Sequence, residues 1–264
     1  MAILIFDFDG TLHESIRIYE PAVRACVYEM RKAGKYKPEP SSEQIMEYLG
    51  LTTQQMWNAF APELSLEERE ENGQFIYGEM RRLIREGQAR LFDGTFDMLA
   101  QLKAQGHTLV FLSNCSVAYM EENAKAFHLR DYFDEMYCAE QFDWLSKPQI
   151  VKILIPGWES SSGADSGLLN KNQITDPAAC TIISIGDRIY DMEIAKAHEG
   201  IRTIFCAYGY GQPEEAENAD EIVYSPSEIP ASVSRLCSVG ISTDCNADHN
   251  ASPVPSFIPV FPAT

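Results

Sequence analysis

The feature that most restricts the fold of this chain is a regular alternation of short apolar runs with amphipathic segments. Each apolar run has the length of a strand, and the segments between them carry apolar residues at helical spacing. Such alternation is typical of a parallel sheet whose strands are connected by helices, so the sequence predicts an α/β fold. The predicted strands are Ala2–Phe8, Thr108–Ser113, Glu135–Ala139, Thr181–Gly186, Thr203–Ala207 and Glu221–Tyr224. The predicted helices are Phe96–Gln105, Val117–Phe127, Pro148–Ile155, Tyr190–His198 and Ser227–Leu236.

One long stretch interrupts this alternation and shows helical periodicity only. Within it, Ile16–Ala33 reads as an amphipathic helix and Leu66–Glu86 as a long charged one, each followed by a glycine at the helix end. A purely helical stretch after the first strand predicts an inserted α-helical domain at residues 15–90. The α/β core is then expected to comprise residues 1–14 and 91–237.

Two other segments lack both periodicities. Residues Ile155–Cys180 are polar and rich in Gly, Ser and Asn, and they exceed the length that a strand–helix connection needs. They predict a long loop that is functional or mobile. From residue 238 to residue 264 the chain gathers Ser, Asn, Ala and Pro, which predicts a flexible tail.

Charge narrows the choice of partners. The chain has 39 acidic residues against 21 lysines and arginines, a formal net charge of −18, which favours neither nucleic acid nor an anionic membrane as a partner. No apolar run reaches membrane-spanning length, the N-terminus lacks a signal-peptide pattern, and the 7 cysteines form no disulfide framework. We therefore expect a cytoplasmic protein. Any site for an anionic phosphate must be locally positive, through a metal ion, fixed cations or backbone N–H groups.

The end of the first predicted strand carries a pair of acids. Asp7 and Asp9 lie two positions apart, so in extended chain they project to the same side, at the strand's carboxyl end. Ligands of open α/β sheets bind at that edge. Two close carboxylates are tolerated when a divalent cation neutralises one or when one stays protonated, and both conditions suit an aspartyl nucleophile beside an aspartic general acid–base. Gly10 permits a sharp turn that brings N–H groups near an anion.

The sequence contains its own comparison for this motif, because Phe-Asp-Gly-Thr occurs twice. The second copy, Phe92–Thr95, follows no predicted strand and has no acid two residues upstream. Its Asp-Gly is interpreted as a turn, with Thr95 as the N-cap of the next helix. Only the first copy has the features of a functional site.

Further polar residues follow later strands. Ser113 and Asn114 end the second strand and can donate to a phosphate oxygen, although a turn or helix cap is the more common use of such residues. Lys147 opens a helix and can bind a phosphate as a compact cation, although most lysines are solvated surface residues. Asp187 and Asp191 stand one helical turn apart and suit Mg²⁺, although they could also cap a helix. An acid pair, a hydroxyl, a lysine and a second acid pair each follow an apolar run in turn. This order favours a common site for them.

Together these motifs resemble the haloacid dehalogenase-like (HAD) hydrolase superfamily, in particular its phosphoglycolate-phosphatase-like branch. That branch carries D-x-D-G-T, a strand-terminal Ser or Thr, a Lys and G-D-x-x-x-D, found here at Asp7–Thr11, Ser113, Lys147 and Gly186–Asp191. The similarity extends to about residue 230 and includes Tyr208-Gly209-Tyr210-Gly211. It implies a Rossmann-like core with an α-helical cap, and it implies Mg²⁺-dependent hydrolysis of a small phosphorylated metabolite through an aspartyl-phosphate.

The resemblance also implies a role for each motif. Asp7 is expected to attack phosphorus and to bind Mg²⁺, and Asp9 to protonate the leaving group and then activate water. The implied metal ligands are Asp7, the backbone carbonyl of Asp9, and Asp187. Asp191 is expected either to bind the metal itself or to contact one of these ligands. The residues expected to bind the phosphate are Gly10, Thr11, Ser113, Asn114 and Lys147.

The sequence leaves two alternatives to a phosphatase function open. A phosphomutase of the β-phosphoglucomutase type would return the phosphoryl group to a sugar, and a binding module would have lost catalysis. Glu14 and Arg188 stand where relatives commonly have an aspartate and a small residue, which leaves the substrate open among phosphoglycolate, sugar phosphates and nucleoside monophosphates. Nothing in the sequence indicates the oligomeric state.

Overall fold

The computed structural model describes residues 1–35, 38–49, 51, 53–160 and 181–239. The strands within these ranges are β1 (Ala2–Phe6), β2 (Thr108–Ser113), β3 (Glu135–Cys138), β4 (Thr181–Gly186), β5 (Arg202–Cys206) and β6 (Glu221–Val223). They form one sheet in the order β3-β2-β1-β4-β5-β6, and every neighbouring pair is parallel. The predicted α/β fold with a Rossmann-like sheet is confirmed.

Helices connect the strands and cover the sheet. They are α1 (Ile16–Lys32), α2 (Ser42–Tyr48), α3 (Thr53–Phe60), α4 (Leu66–Arg85), α5 (Thr95–Ala104), α6 (Val117–Ala126), α7 (Lys147–Ser160), α8 (Ile189–Met192) and α9 (Ile229–Val239). β1 is buried along its whole length, as expected of a central parallel strand covered on both faces. The two faces of the sheet support separate clusters of buried apolar side chains.

Helices α1–α4 follow β1 directly and form a helical layer without strands in the described part of that stretch. α1 packs against α4, and both are amphipathic, with a buried stripe that includes Val23 and Val27 on α1 and Ile76 and Met80 on α4. The start of α4 is fixed by a capping box, in which Ser65 and Glu68 each accept a hydrogen bond from the other's backbone N–H. These helices are the elements that the sequence predicted as an insert.

Three local predictions need correction. α7 was expected to end at Ile155, but it continues through Pro156 to Ser160. The extension buries Trp158, whose indole N–H donates to Glu135 on β3 at 3.0 Å, and this packing outweighs the helix-breaking tendency of proline. The predicted N-cap Thr95 is instead the first helical residue, and Gly94 is the N-cap.

The reason for the second correction is conformational. Gly94 has a φ of 83°, in the left-handed region that glycine adopts without strain. The third correction concerns the helix predicted at Tyr190–His198, which is divided into the short α8 and a 3₁₀ turn at Glu193–Lys196.

The rest of the predicted Ile155–Cys180 loop, residues 161–180, and residues 240–264 of the predicted tail lie outside the described ranges. Among the described residues, no helix is long and apolar enough to cross a lipid bilayer.

The strand order determines where a site can form. β1 pairs with β2 on one side and with β4 on the other, so the connections from these strands leave the sheet in opposite directions. A crevice opens at the carboxyl ends of the strands where such a reversal occurs. The segments that follow β1, β2 and β4 therefore meet at this point.

Candidate active site

The residues that follow these strands are drawn together around one lysine. Lys147, the first residue of α7, is 3% exposed, and its Nζ donates to Asp7 Oδ1 and to Asp191 Oδ1, each at 2.6 Å. Burial alone would lower the pKa of Lys147, but Asp191 and Asp7 outweigh it and raise that pKa above its ordinary value. The ammonium group therefore stays charged and links the first sequence motif to the last.

Three carboxylates lie around this ammonium group. Asp7, Asp187 and Asp191 are all buried, and one oxygen of each lies within 4.8 Å of the others. Burial raises the pKa of Asp187 to about 7, with Asp191 as the next cause. Burial also raises the pKa of Asp7 well above its usual range, opposed by Lys147 and reinforced by Asp191 and Asp187. Asp7 and Asp187 thus resist ionisation in this buried cluster.

The chemistry of this donor set fits a divalent cation. With all three acids ionised, Lys147 neutralises one negative charge and leaves an excess of two in a buried site. Carboxylate oxygens are the ligands that Mg²⁺ prefers, and it is bound through a small number of them. The carboxylate of Asp9 is not part of this cluster, and the ligand expected from Asp9 was its backbone carbonyl.

Glycines allow the acids to lie directly against the backbone. A Cβ placed on Gly10, whose φ is +87°, would lie 2.2 Å from Asp187 Oδ2, and one on Gly186 would lie 2.1 Å from Asp191 Cγ. Real Cβ atoms do not approach other atoms this closely. The two glycines of the first and last motifs are therefore steric requirements of the carboxylate cluster.

Asp187 is oriented by two donors from distant parts of the chain. The Thr11 hydroxyl donates to Oδ1 at 3.2 Å, and the backbone N–H of Tyr210 donates to Oδ2 at 2.7 Å. The hydroxyl of Tyr208 in turn donates to the carbonyl of Thr11 at 2.7 Å. The side chain of Thr11 thus contacts a carboxylate here, and its expected contact with a phosphate stays a prediction.

Asp9 has different surroundings from the buried acids. Its side chain is 23% exposed. The Tyr119 hydroxyl donates to its Oδ1 at 2.9 Å, and His13 Nδ1 lies 3.0 Å from the same oxygen. His13 is fully buried and stacks on Phe8 at a ring-centroid distance of 4.8 Å. Asp9 is therefore held beside the carboxylate cluster with one side open to the adjacent cleft.

The cleft lies between the carboxyl edge of the sheet and helices α1–α4, with an empty volume of about 840 Å³ that includes its solvent-open part. Asp7, Asp9 and Lys147 line its floor, together with Ser113 and Asn114. These two residues contact the same space as the acids, as the sequence predicted for a common site. Their binding of phosphate stays a prediction.

Arg188, one of the residues that departs from the motif, connects the two sides of the cleft. Its Nε lies 3.1 Å from Glu215 Oε2, and its guanidinium group also donates to the backbone carbonyl of Leu49 at the end of α2. The arginine thus joins the loop after β4 to the helical layer.

Three residues that shape this site were not predicted as site residues, although one of them, Tyr210, lies in a segment of the family resemblance. His13, Tyr119 and Tyr210 contact Asp9 or Asp187. His13 adjoins the first motif, and its single polar ring inside an apolar segment is a weak signal. Tyr119 had no signal, since a tyrosine on an amphipathic helix is most often a packing residue. Tyr210 contributes its backbone, so its side chain gives no indication of that contact.

Known proteins resemble this chain in sequence or in fold. A 5'-nucleotidase from Pseudomonas aeruginosa is 24% identical over 223 residues, covering 80% of this chain and 85% of that protein. A predicted phosphoglycolate phosphatase from Haemophilus somnus has a similar structure, with a TM-score of 0.69 and 18% identity over 88% of this chain and 98% of its own.

A mutant of CbbY from Rhodobacter sphaeroides, in complex with xylulose-1,5-bisphosphate, is also similar, with a TM-score of 0.63, 20% identity, and coverage of 86% of this chain and 96% of its own. At these identities the structures show a shared fold. The family model for haloacid dehalogenase-like hydrolases matches residues 4–155, more than half of the chain and the segment that carries Asp7, Asp9, Ser113 and Lys147. The chain belongs to the haloacid dehalogenase-like hydrolase family.

Proposed function

We propose that this protein is a Mg²⁺-dependent phosphatase that hydrolyses a small phosphorylated substrate through a phosphoryl-enzyme intermediate on Asp7. The observation that carries the proposal is the position of Lys147, buried between Asp7 and Asp191 at 2.6 Å from each on the floor of the cleft. It supports a site where positive charge and carboxylates from several motifs surround a transferring phosphoryl group.

In the first step, a carboxylate oxygen of Asp7 attacks phosphorus and the bond from phosphorus to the leaving oxygen breaks. Asp9 supplies a proton to that oxygen, so the substrate leaves as a neutral alcohol. In the second step, Asp9 takes a proton from water as that water attacks phosphorus. The bond to Asp7 then breaks, and free phosphate and the original carboxylate are restored.

The assignment of these two roles rests on environment. Asp7 lies within hydrogen-bond distance of a fixed cation, which orients the attacking oxygen and offsets the repulsion between two anions. Asp9 is more exposed and lies at the cleft with two polar partners. A group that exchanges protons with both a leaving group and water needs that access.

Mg²⁺ would be held by Asp7, Asp187 and the backbone carbonyl of Asp9, with Asp191 as a further ligand or a partner of Lys147. When bound, it would offset negative charge on the phosphoryl oxygens. Thr11 and Tyr210 support this role, because both fix the carboxylate of Asp187.

The phosphoryl group itself is proposed to contact Lys147, Ser113 and the backbone around Gly10 and Asn114. Charge on a transferring phosphoryl group spreads over its outer oxygens, and preorganised donors stabilise it there. Lys147 would shift part of its attraction from Asp191 to the phosphoryl oxygens. Thr11 is proposed to act on the phosphate through Asp187.

Helices α1–α4, within residues 15–90, are proposed to act as a cap over the remaining core. They form the far wall of the cleft, which supports a role in excluding bulk water and in recognising the leaving group. The named activities of the relatives, 5'-nucleotidase and phosphoglycolate phosphatase, support a phosphomonoester as the substrate.

The proposal is tested by measuring phosphate release from a panel of phosphomonoesters, with Mg²⁺ and with a chelator. We expect release that requires Mg²⁺ and that the Asp7→Asn variant loses by at least about a thousandfold. Asp93→Asn is the control for an aspartate-to-asparagine change outside the cleft, because Asp93 is exposed and lies in the second Phe-Asp-Gly-Thr copy, where it corresponds to Asp9. Equal activity of Asp7→Asn and wild type would overturn the proposal.

A further inference from the structure

The wall of the cleft opposite the carboxylates is apolar and aromatic. Helices α1–α4 supply it, and most of its side chains are buried. Its main members are Tyr19, Tyr48, Met56, Ile76, Tyr77 and Met80. A leaving group that extends from a phosphoryl group near Asp7 enters the space that this wall lines, since the same cleft connects the two.

The wall has no charged member among the described residues of helices α1–α4. The cations of the described cleft are Lys147 and Arg188, and both have partners. Lys147 donates to Asp7 and Asp191. Arg188 is paired with Glu215 and donates to the carbonyl of Leu49. A second anionic group on a substrate would therefore meet no uncommitted positive charge here.

These properties of the wall favour some leaving groups over others. A carboxylate or second phosphate placed against this wall would lose its water without gaining a counter-charge, which is strongly unfavourable. A polyhydroxylated chain would lose hydrogen bonds to water against aliphatic and aromatic carbon. A planar uncharged ring would lose little and would gain apolar contact, aromatic packing on the tyrosines and sulfur contacts with Met56 and Met80.

We propose that this cleft selects phosphomonoesters whose leaving group carries an uncharged planar aromatic ring, and that it discriminates against those with a carboxylate or a second phosphate. This inference rests on the proposed phosphatase function and specifies its substrate class. Such a ring can belong to a nucleobase or to a simple aryl group, and the shared chemistry is a flat apolar surface at the end of a phosphomonoester.

The test is a comparison of kcat/KM for paired substrates with Mg²⁺ present. Adenosine and uridine 5'-monophosphate are compared with ribose 5-phosphate, which carries a hydroxyl group in place of the base. 1-Naphthyl phosphate is compared with glycerol 3-phosphate and phosphoglycolate. We expect the aromatic member of at least one set to exceed its non-aromatic partners by about tenfold or more. The set that shows the preference identifies the source of the ring.

Variants locate the preference on the wall. Ile76 is 3% exposed and lines the cleft, whereas the adjacent Phe75 is 38% exposed and does not. We expect Ile76→Ala to lower kcat/KM for the preferred aromatic substrate about fivefold to tenfold, with a much smaller effect on glycerol 3-phosphate. Phe75→Ala should leave both values unchanged.

A second variant keeps the test decisive if Ile76→Ala is poorly folded. Tyr77 is half-buried in the same wall, and Tyr77→Lys would add a cation there. We expect phosphoglycolate to become a better substrate relative to 1-naphthyl phosphate, by about tenfold in the ratio of kcat/KM. Circular dichroism melting of both variants reports on folding separately.

The outcomes separate the two proposals. Absence of Mg²⁺-dependent phosphate release from every substrate would overturn the phosphatase function itself. Release in which neither substrate set shows the aromatic preference would overturn only the aromatic selectivity. If Tyr77→Lys leaves the ratio of kcat/KM for phosphoglycolate to that for 1-naphthyl phosphate unchanged, the wall does not determine substrate selectivity.

Discussion

The hydroxyl of Tyr119 donates a hydrogen bond to Asp9 Oδ1 at 2.9 Å, across a sequence separation of 110 positions. Tyr119 lies on α6, whereas Asp9 follows β1, so the contact fixes an element of the sheet edge against a helix that flanks it. His13 Nδ1 lies 3.0 Å from the same oxygen. The carboxylate assigned to proton transfer is thus held in one orientation by partners from two elements.

We predict that Tyr119→Phe lowers kcat about tenfold with little change in KM, because a hydrogen bond to a charged group contributes about 1.5–3 kcal/mol, part of which is lost in the transition state. Steady-state kinetics over a range of pH would measure this. Tyr137→Phe is the matched control, since its hydroxyl bonds to Glu135 outside the cleft. Identical kcat for wild type and Tyr119→Phe would contradict a positioning role.

Lys147 is predicted to be needed for stability as well as activity. Lys147→Met leaves Asp7 and Asp191 buried without their cation, and breaking a buried ion pair on one side costs about 3 kcal/mol or more. Urea denaturation of the metal-free protein would measure the free energy of unfolding.

The control for that variant is Lys103→Met, which removes a surface pair with Asp134 in which both side chains are about one-third exposed. Exposed pairs contribute less than about 1 kcal/mol. Similar losses for the two variants would show that the buried lysine has no special structural role.

The metal-free protein is predicted to lose stability as pH rises. Burial raises the pKa of Asp187 to about 7 from a usual value of 3.8. Between these values the folded state holds a proton that the unfolded state releases, so the free energy of unfolding falls from about pH 4 to about pH 7. Melting temperatures in a chelating buffer would follow this trend.

A bound divalent cation offsets the cost of ionising buried Asp187, because the cation favours the charged form of the carboxylate. Added Mg²⁺ should therefore raise the melting temperature more at about pH 7.5 than at about pH 5.5. An equal gain at both pH values would argue against Asp187 as a ligand. Asp187→Asn, which cannot ionise, should show a flatter pH dependence without metal.

Glycine substitutions give a steric test of the carboxylate cluster. Gly186→Ala would place a Cβ 2.1 Å from Asp191 Cγ, so Asp191 must move and Lys147 loses one partner. We expect loss of most activity and destabilisation of about 2 kcal/mol or more.

Gly78→Ala is the comparison for Gly186→Ala. Gly78 lies inside α4 at an exposed position, and a Cβ there meets no atom within 4 Å. Helix propensity predicts stabilisation of up to about 1 kcal/mol with unchanged activity. Wild-type kcat in Gly186→Ala would contradict the packing of Asp191 against that backbone.

The sequence was informative about the fold where apolar periodicity is strong. β2 and β4 begin and end at the predicted residues, because buried parallel strands are continuous apolar runs bounded by turn residues. The prediction was wrong where tertiary packing overrides local preference. Trp158 extends α7 beyond Pro156, and no local pattern indicates which buried contact a tryptophan will make.

The contacts in the candidate site were likewise predictable only in part. The order of the motifs predicted that Asp7, Lys147 and Asp191 would meet, and they lie in direct contact. The partners of Asp9 were not predictable, since the choice of Tyr119 depends on how α6 rotates against the sheet. Sequence spacing shows which edge a residue follows, and only the assembled fold shows which atom it reaches.

The pairing of β1 with β4 has a consequence for synthesis of the chain. Ile5 lies beside Ser184 in the sheet, and β1 precedes β4 in the chain, so β1 is synthesised well before this neighbour. Before then, Asp7 has no Asp187 or Asp191 beside it, and the carboxylate cluster cannot form. Translation past β4 is therefore the earliest point at which the proposed phosphatase site can be complete.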